Sequence, residues 1–126
     1  NMFILASTTP YDWRSPQNDN LWQGVSGINN PCPAGWRVPT SNELETERLS
    51  WGSNNSAGAY ASPLKLTVAG FRHYGNGSLN FVASEGYYWS TTVNGTYAWD
   101  LIFYSSGAFM NYNRRAYGFS VRCLKD

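Results

Sequence analysis

Charged residues are scarce in this sequence, and their scarcity excludes several classes of function. They make up 13% of the 126 residues, and the formal net charge is +1. A chain with so little charge has no basic patch for nucleic acid or for an anionic membrane surface. No stretch approaches the roughly eighteen consecutive apolar residues of a membrane-spanning helix. We therefore expect no nucleic-acid partner and no membrane insertion by this segment.

Histidine and cysteine are scarce as well. There is one histidine, His73, and there are two cysteines, Cys32 and Cys123, with no Cys-x-x-Cys or His-x-x-x-His pair, which excludes a zinc site by ligand count. The carboxylates are scattered, so calcium-dependent sugar binding stays a minor alternative. Phosphate loops, dinucleotide fingerprints and a Gly-x-Ser-x-Gly nucleophile are missing from the sequence. We expect no metal, no cofactor and no catalytic activity.

What the chain has in abundance is aromatic residues, at 17%, together with Asn, Ser, Thr and Gly. Tyr and Trp give contact area at a low entropic cost, while Ser, Gly and Asn supply adaptable hydrogen bonds, a mixture typical of binding surfaces. The other interpretation is that a loop-rich β domain simply has this composition. The length fits a single domain over residues 1–126, which we expect to be the C-terminal part of a longer protein.

Residues 30–44 contain the strongest local signals. Prolines on both sides of Cys32 fix the backbone, and residues 36–38 form a short strand-like step. Thr40 and Glu43 have the spacing of a capping box, in which each side chain bonds to the backbone N–H of the other residue. The spacing predicts a helix over residues 41–50.

The rest of the chain is predicted to be coil and short strands. Residues 11–35 show no helical or two-residue period and are interpreted as an ordered coil in which Trp13 and Trp22 pack into the core. Residues 51–60 are a loop or a broken second helix. Apolar alternation and glycine-containing turns predict antiparallel strands at residues 3–5, 63–74, 79–82, 87–92, 98–104, 108–112 and 117–124.

Five motifs are distinctive. They are Asp-Trp-Arg at residues 12–14, Asn-Asp-Asn-Leu-Trp-Gln-Gly at 18–24, the segment 30–44, Gly-Tyr-Tyr-Trp-Ser-Thr-Thr at 86–92, and Ala-Tyr-Gly-Phe-Ser-Val-Arg-Cys at 116–123. Together they closely resemble the Fibrobacter succinogenes major paralogous domain family over nearly the whole chain. More distantly, the chain is similar to the C-type-lectin-like fold of formylglycine-generating enzymes. The resemblance implies a loop-rich α+β fold of this type, with one or two short helices and small antiparallel sheets.

The two cysteines are interpreted as a disulfide pair. The resemblance supports this, because C-type lectin domains commonly join the region of the first helix to the last strand. The alternative is a pair of buried thiols in a reducing compartment. Formylglycine-type oxidation uses neighbouring redox cysteines, whereas Cys32 and Cys123 lie far apart in sequence. We expect an extracellular or cell-surface location, on a bacterial envelope or a phage particle.

The predicted ligand-binding surface lies on the C-terminal strands, which are rich in residues typical of interface hot spots. Alternation places Trp99, Leu101 and Phe103 on a core face, and Asp100, Ile102, Tyr104, Phe109, Asn111 and Tyr112 on an outer face. The alternative is an aromatic-rich sheet face that is exposed to solvent and binds no ligand. The full set of predicted ligand-binding residues is His73, Tyr74, Tyr97, Trp99, Asp100, Ile102, Tyr104, Phe109, Asn111, Tyr112, Asn113 and Arg114.

The function predicted from these observations is non-catalytic ligand binding, as in an adhesin or a receptor-binding domain, with a protein or glycan on another surface as the partner. The resemblance implies diversification by a diversity-generating retroelement. Adenine-directed mutagenesis of Asn codons cannot produce Trp, which puts Trp99 in doubt as a variable position. The alternative is a structural cell-envelope or fimbrial domain with no specific ligand, and an oxidising enzyme is third.

Overall fold

The computed structural model describes residues 2–126, in which two helices and seven strands alternate with long ordered loops. In chain order they are β1 (Trp36–Arg37), α1 (Ser41–Leu49), α2 (Ser56–Ala61), β2 (Phe71–Arg72), β3 (Leu79–Asn80), β4 (Gly86–Asn94), β5 (Tyr97–Tyr104), β6 (Gly107–Arg114) and β7 (Leu124–Lys125). The strands form three antiparallel sheets, β1–β7, β2–β3 and β4–β5–β6. The part of the chain described here is therefore a small α+β domain.

The predicted capping box starts α1. The Thr40 hydroxyl accepts a hydrogen bond from the backbone N–H of Glu43 at 3.3 Å, and the backbone N–H of Thr40 donates to the Glu43 carboxylate at 2.8 Å. Arg37 on β1 donates two further hydrogen bonds to this carboxylate, at 2.7 and 2.8 Å. Chiefly through the bonds from Arg37, the pKa of Glu43 falls to about 2. The helix prediction is confirmed, with Ser50 as the C-cap rather than the last helical residue.

The three-stranded sheet forms the centre of the domain, and one of its faces packs under the helices. Gly95 and Thr96 make the tight turn from β4 to β5, with Gly95 at φ 58°, one position later than the predicted Asn94-Gly95 turn. A Cβ on Gly86 would lie 2.1 Å from the Phe103 ring, so only glycine fits there. The core on this face comprises Leu44, Ala59, Leu66, Tyr88, Leu101, Phe103 and Ala108.

The opposite face of the central sheet is covered by a second set of aromatic side chains. Phe71 on β2 packs against Tyr87 of β4 with ring centroids 4.8 Å apart, and against Tyr117 at 5.3 Å. Phe119 stacks on Trp89 at 4.4 Å. We call these five residues the aromatic layer. Because helices cover one face and the aromatic layer covers the other, the middle of the sheet is buried on both sides.

The two ends of the fold are joined covalently and by hydrogen bonds. Cys32 and Cys123 form a disulfide with an S–S distance of 2.03 Å, as expected. Beside it, β1 pairs with β7, with Trp36 opposite Lys125. The two cysteines are separated by 91 positions in sequence, so the disulfide closes a long loop.

Two predicted strands are not present as strands. Residues 3–5 run as coil. Directly after them, the Ala6 N–H donates a hydrogen bond to the Tyr74 carbonyl at 3.0 Å. Residues 63–69 keep the predicted alternation of burial, with Leu66 buried, but Lys65 at φ 52° interrupts the extended backbone. Residues 63–69 pack as a coil against α2, where the Leu66 N–H donates a hydrogen bond to the Ala59 carbonyl. They therefore have no partner strand.

The predicted strand 117–124 is mostly replaced by isolated bridges. Gly118 pairs with Arg72 and Ser120 pairs with Tyr88, while continuous pairing is confined to β7. The segment crosses from the β2–β3 hairpin to the central sheet, so no single partner strand follows it. The described residues include no helix that is long and apolar enough to cross a membrane.

Candidate functional site

The predicted ligand surface is divided between the two faces of the central sheet. In the register of β5 and β6, Trp99 is opposite Tyr112, and Asp100 is opposite Asn111. Cross-strand partners in an antiparallel sheet point to the same face. The expectation that Tyr112 shares a face with Asp100 is therefore wrong: Tyr112 lies with Trp99 on the face that the helices partly cover.

Asp100 and Ile102 cannot contact a partner. Asp100 is 0% exposed and Ile102 is 7% exposed, so their prediction as ligand-binding residues is wrong. Both alternate outward from the helix-covered core, as predicted. That outward face is itself buried at this point, because Phe71 packs on Tyr87 and Phe119 packs on Trp89, which are the β4 partners of Ile102 and Asp100.

The buried Asp100 carboxyl has few polar neighbours. Oδ1 accepts one hydrogen bond, from the Asn113 side-chain amide at 3.0 Å, so Asn113 supports Asp100 rather than presenting its amide to a ligand. Oδ2 has no hydrogen-bond partner among the described residues. Burial raises the pKa of Asp100 to about 7, against the smaller opposing effect of the Asn113 amide. Removing a carboxyl group from water without a counter-ion favours its neutral, protonated form.

Three predicted residues form an exposed aromatic patch. The rings of Trp99 and Tyr112 are 5.3 Å apart, and those of Tyr97 and Tyr112 are 5.7 Å apart. Tyr97 is 38% exposed and Tyr112 is 47% exposed, while Trp99 is half-buried. We call Tyr97, Trp99 and Tyr112 the aromatic patch.

Three others lie on the face of Ile102. Phe109 is 41% exposed and is opposite Ile102, and its ring centroid is 6.3 Å from that of Tyr104. Asn111 is half-buried beside them. Because the sheet separates them from the aromatic patch, one flat partner surface cannot contact both groups.

His73, Tyr74 and Arg114 form a third group, at the β2–β3 hairpin. The Arg114 guanidinium carbon lies 4.1 Å from the centre of the Tyr11 ring and 5.0 Å from that of Tyr74, and Arg114 also donates to the Tyr74 hydroxyl. The His73 ring stacks on Tyr74, and its Nδ1 accepts a hydrogen bond from the Gly75 N–H at 3.1 Å. The Tyr11 and Tyr74 rings are in edge contact with each other, with centroids 5.2 Å apart, and Arg114 packs against both. Its side chain is therefore engaged in contacts within the domain.

A pocket that the sequence reasoning missed lies under the N-terminal coil, at the end of β4 and β5 that carries the 95–96 turn. It has a volume of about 60 Å³, and its wall includes the side chains of Trp13, Trp22, Trp89, Asp12, Asp19 and Arg115. We call it the tryptophan pocket. Trp13 and Trp22, predicted as core residues, are half-buried. The overlooked signal was the placement of aspartates and asparagines beside both tryptophans in residues 12–22.

The described residues contain no cluster of side chains that could coordinate a metal ion. No group of three or more His, Cys, Asp or Glu side chains comes together within residues 2–126.

Taken together, the fold and these surfaces define a disulfide-linked α+β domain with exposed aromatic side chains on a rigid sheet. The chain belongs to the family of the domain of unknown function DUF8237, whose model matches residues 50–124. The matched segment runs from the C-cap of α1 to the first residue of β7 and includes the aromatic patch. No curated protein and no solved structure matches the chain.

Proposed function

We propose that this domain is a non-catalytic ligand-binding module of the adhesin or receptor-binding type, with a C-type-lectin-like fold. The observation that carries the proposal is the aromatic patch, in which Tyr97 and Trp99 each pack against Tyr112 and the two tyrosines are exposed. Aromatic residues are enriched among the hot spots of protein interfaces. Tyrosine also offers a hydroxyl that can bond to a glycan or a protein backbone.

The rigidity of the underlying sheet supports this role. Trp99 and Tyr112 are cross-strand partners in a continuous ladder of eight pairs between β5 and β6. The Trp99 carbonyl also accepts a hydrogen bond from the buried Ser90 hydroxyl at 2.7 Å. A surface that is already ordered loses little entropy when it binds, so more of the contact energy contributes to affinity.

The C-type-lectin-like assignment is supported by how the ends of the fold are joined. The disulfide links the segment before α1 to the segment before β7, and β1 pairs with β7 beside it. This is the connection that the resemblance to the Fibrobacter succinogenes major paralogous domain family implies. Because disulfides persist in oxidising compartments, we place the domain outside the cell, on a bacterial or phage surface.

Diversification by a retroelement is the part of the proposal that a genome can test. A near-copy of the codons for residues 85–123, differing at adenines and lying next to a reverse transcriptase gene, is the expected finding. Exposed positions such as Tyr97, Phe109 and Tyr112 are the ones at which variation leaves the core intact. A genome with neither such a copy nor paralogues of this domain would remove the idea of diversification.

Binding itself is tested by combining a ligand screen with variants of the patch. Glycan arrays and surface-protein libraries identify a ligand, and the double variant Tyr97→Ala/Tyr112→Ala is expected to weaken its binding by roughly tenfold or more. Tyr60→Ala is the matched control, because Tyr60 is 62% exposed on α2, outside the patch. Unchanged adhesion by a folded double variant would favour a structural envelope domain instead.

A further inference from the structure

The geometry points to a second binding site, the tryptophan pocket, for a neutral sugar ring bound without a metal ion. This site lies apart from the aromatic patch, and the inference stands whether or not the patch binds a partner.

The pocket is built by hydrogen bonds that attach the N-terminal coil to the central sheet. The Gln17 side-chain amide donates to the Thr96 carbonyl at 3.0 Å, and the Gln23 amide donates to the Thr91 carbonyl at 2.7 Å. Arg115, which follows β6, donates to the Asp19 carboxylate of the coil at 2.6 Å and to the Gly95 carbonyl of the β4–β5 turn at 2.9 Å. Because these bonds join residues far apart in sequence, the pocket is part of the tertiary structure and is formed before any ligand binds.

Tryptophan side chains supply the apolar part of the wall. Trp13 and Trp22 come from the coil and Trp89 comes from β4, so three of the six tryptophans in the chain line one small pocket. Trp22 has a φ of 63°, a left-handed backbone conformation that a bulky residue adopts only where the surrounding structure holds it. The bond from the Trp22 N–H to the Ile28 carbonyl at 2.9 Å holds this conformation.

The polar part of the wall contains both donors and acceptors. The Arg115 side chain is only 10% exposed, and its Nε has no hydrogen-bond partner among the described residues. Its Nη2 bonds to Asp19 Oδ1 at 2.6 Å, and the Asp19 side chain is 62% exposed at the rim. Asp12, which receives a hydrogen bond from Gln17 at 3.0 Å, adds a second carboxylate with a fixed orientation.

This mixture selects among ligand classes. The Arg115 guanidinium would repel a cation, and the carboxylates of Asp12 and Asp19 would repel an anion. A purely apolar group would leave these polar side chains desolvated without partners. A sugar ring has an apolar face for a tryptophan and hydroxyl groups that both donate and accept. A volume of about 60 Å³ in an open-sided pocket admits the edge of one ring, as at the end of a glycan chain.

The test is a titration of the wild-type domain with methyl glycosides of neutral hexoses in the presence of EDTA, followed by tryptophan fluorescence and by indole N–H shifts in NMR spectra. We expect saturable changes at Trp13 and Trp22, with Trp99 unaffected. Trp22→Phe and Arg115→Lys are expected to weaken binding by roughly tenfold, and Tyr112→Ala is expected to leave it unchanged. Near-ultraviolet circular dichroism of each variant tests whether it is folded.

Several outcomes would overturn the inference. These are the absence of saturable shifts with every hexoside, shifts confined to the aromatic patch, abolition of binding by EDTA, and tighter binding of tetramethylammonium or acetate than of any sugar. The wild-type titration requires no variant to fold. A loss of binding in Tyr97→Ala/Tyr112→Ala with an intact hexoside titration would separate this site from the one under the proposed function.

Discussion

Replacing Asp100 by Asn should make the domain more stable at alkaline pH and leave its stability almost unchanged at acid pH. The carboxyl is fully buried in the central sheet, and one of its oxygens accepts a single hydrogen bond from Asn113. An asparagine has the same shape and can accept the same bond, but it never ionises. The pair of proteins therefore isolates the cost of the buried charge.

The magnitude follows from the pKa of Asp100, about 7 in the folded protein against an ordinary value of 3.8. Below pH 3.8 the carboxyl is protonated in both the folded and the unfolded state, so it adds no pH dependence. Between pH 3.8 and 7 the unfolded state loses its proton first, and the folded state loses stability as pH rises. Above pH 7 the loss is complete, at about 4 kcal/mol, since each pH unit corresponds to about 1.4 kcal/mol. This is a large part of the roughly 5–15 kcal/mol that stabilises a typical domain.

The assay is urea unfolding of both proteins, with the disulfide intact, from pH 3.5 to pH 9. The difference in the free energy of unfolding between Asp100→Asn and wild type should be constant below pH 4 and should grow by about 4 kcal/mol by pH 9. Asn113→Ala removes the one donor to the carboxylate, so it should steepen the decline in stability with pH. That effect should vanish in the double variant Asp100→Asn/Asn113→Ala. Parallel pH profiles for wild type and Asp100→Asn would show that a buried charge at Asp100 does not destabilise the folded protein.

Two further predictions concern the ends of the fold. Replacing both Cys32 and Cys123 by Ala should lower the free energy of unfolding by about 4–5 kcal/mol in urea titrations, because the disulfide closes a long loop. A loss below about 1 kcal/mol would show that the unfolded chain is already constrained without the disulfide. Glu43→Gln should cost about 1–2 kcal/mol at pH 7 through the cap and the bonds from Arg37, discounted because Glu43 is 38% exposed. Since the pKa of Glu43 is lowered to about 2, this advantage of the wild type should fade as pH drops from 4.5 to 2, and a difference that persists at pH 2 would contradict it.

The features predicted correctly from the sequence depend on neighbours along the chain. The capping box of Thr40 and Glu43 and the tight turn after β4 each need only a few consecutive residues. The capping box is present as predicted, and the turn consists of Gly95 and Thr96, one position later than predicted. The β2–β3 hairpin was also recognisable from its central turn, although its paired strands are only two residues each.

The features predicted wrongly depend on which segments meet in space. Residues 63–69 alternate in burial as a strand would, but burial against α2 gives the same pattern without a partner strand. The outward alternation of Asp100 and Ile102 was correct. Their exposure was not, because Phe71, Tyr117 and Phe119 return from distant parts of the chain to cover that face.

The start of α1, the tight turn after β4 to within one residue, and the aromatic character of the surface could be predicted from the sequence, because they follow from local backbone preferences and residue type. The pairing of Cys32 with Cys123 was an expectation supported by the resemblance, with two free thiols as the alternative, and the disulfide is present in the structure. The position of Tyr112 beside Trp99 in the aromatic patch and the burial of Asp100 depend instead on the folding of distant segments onto the central sheet. The same holds for the pocket that Trp13, Trp22 and Trp89 share with Arg115. Exposure is a property of what packs against a side chain, and in this fold the covering segments come from other parts of the sequence.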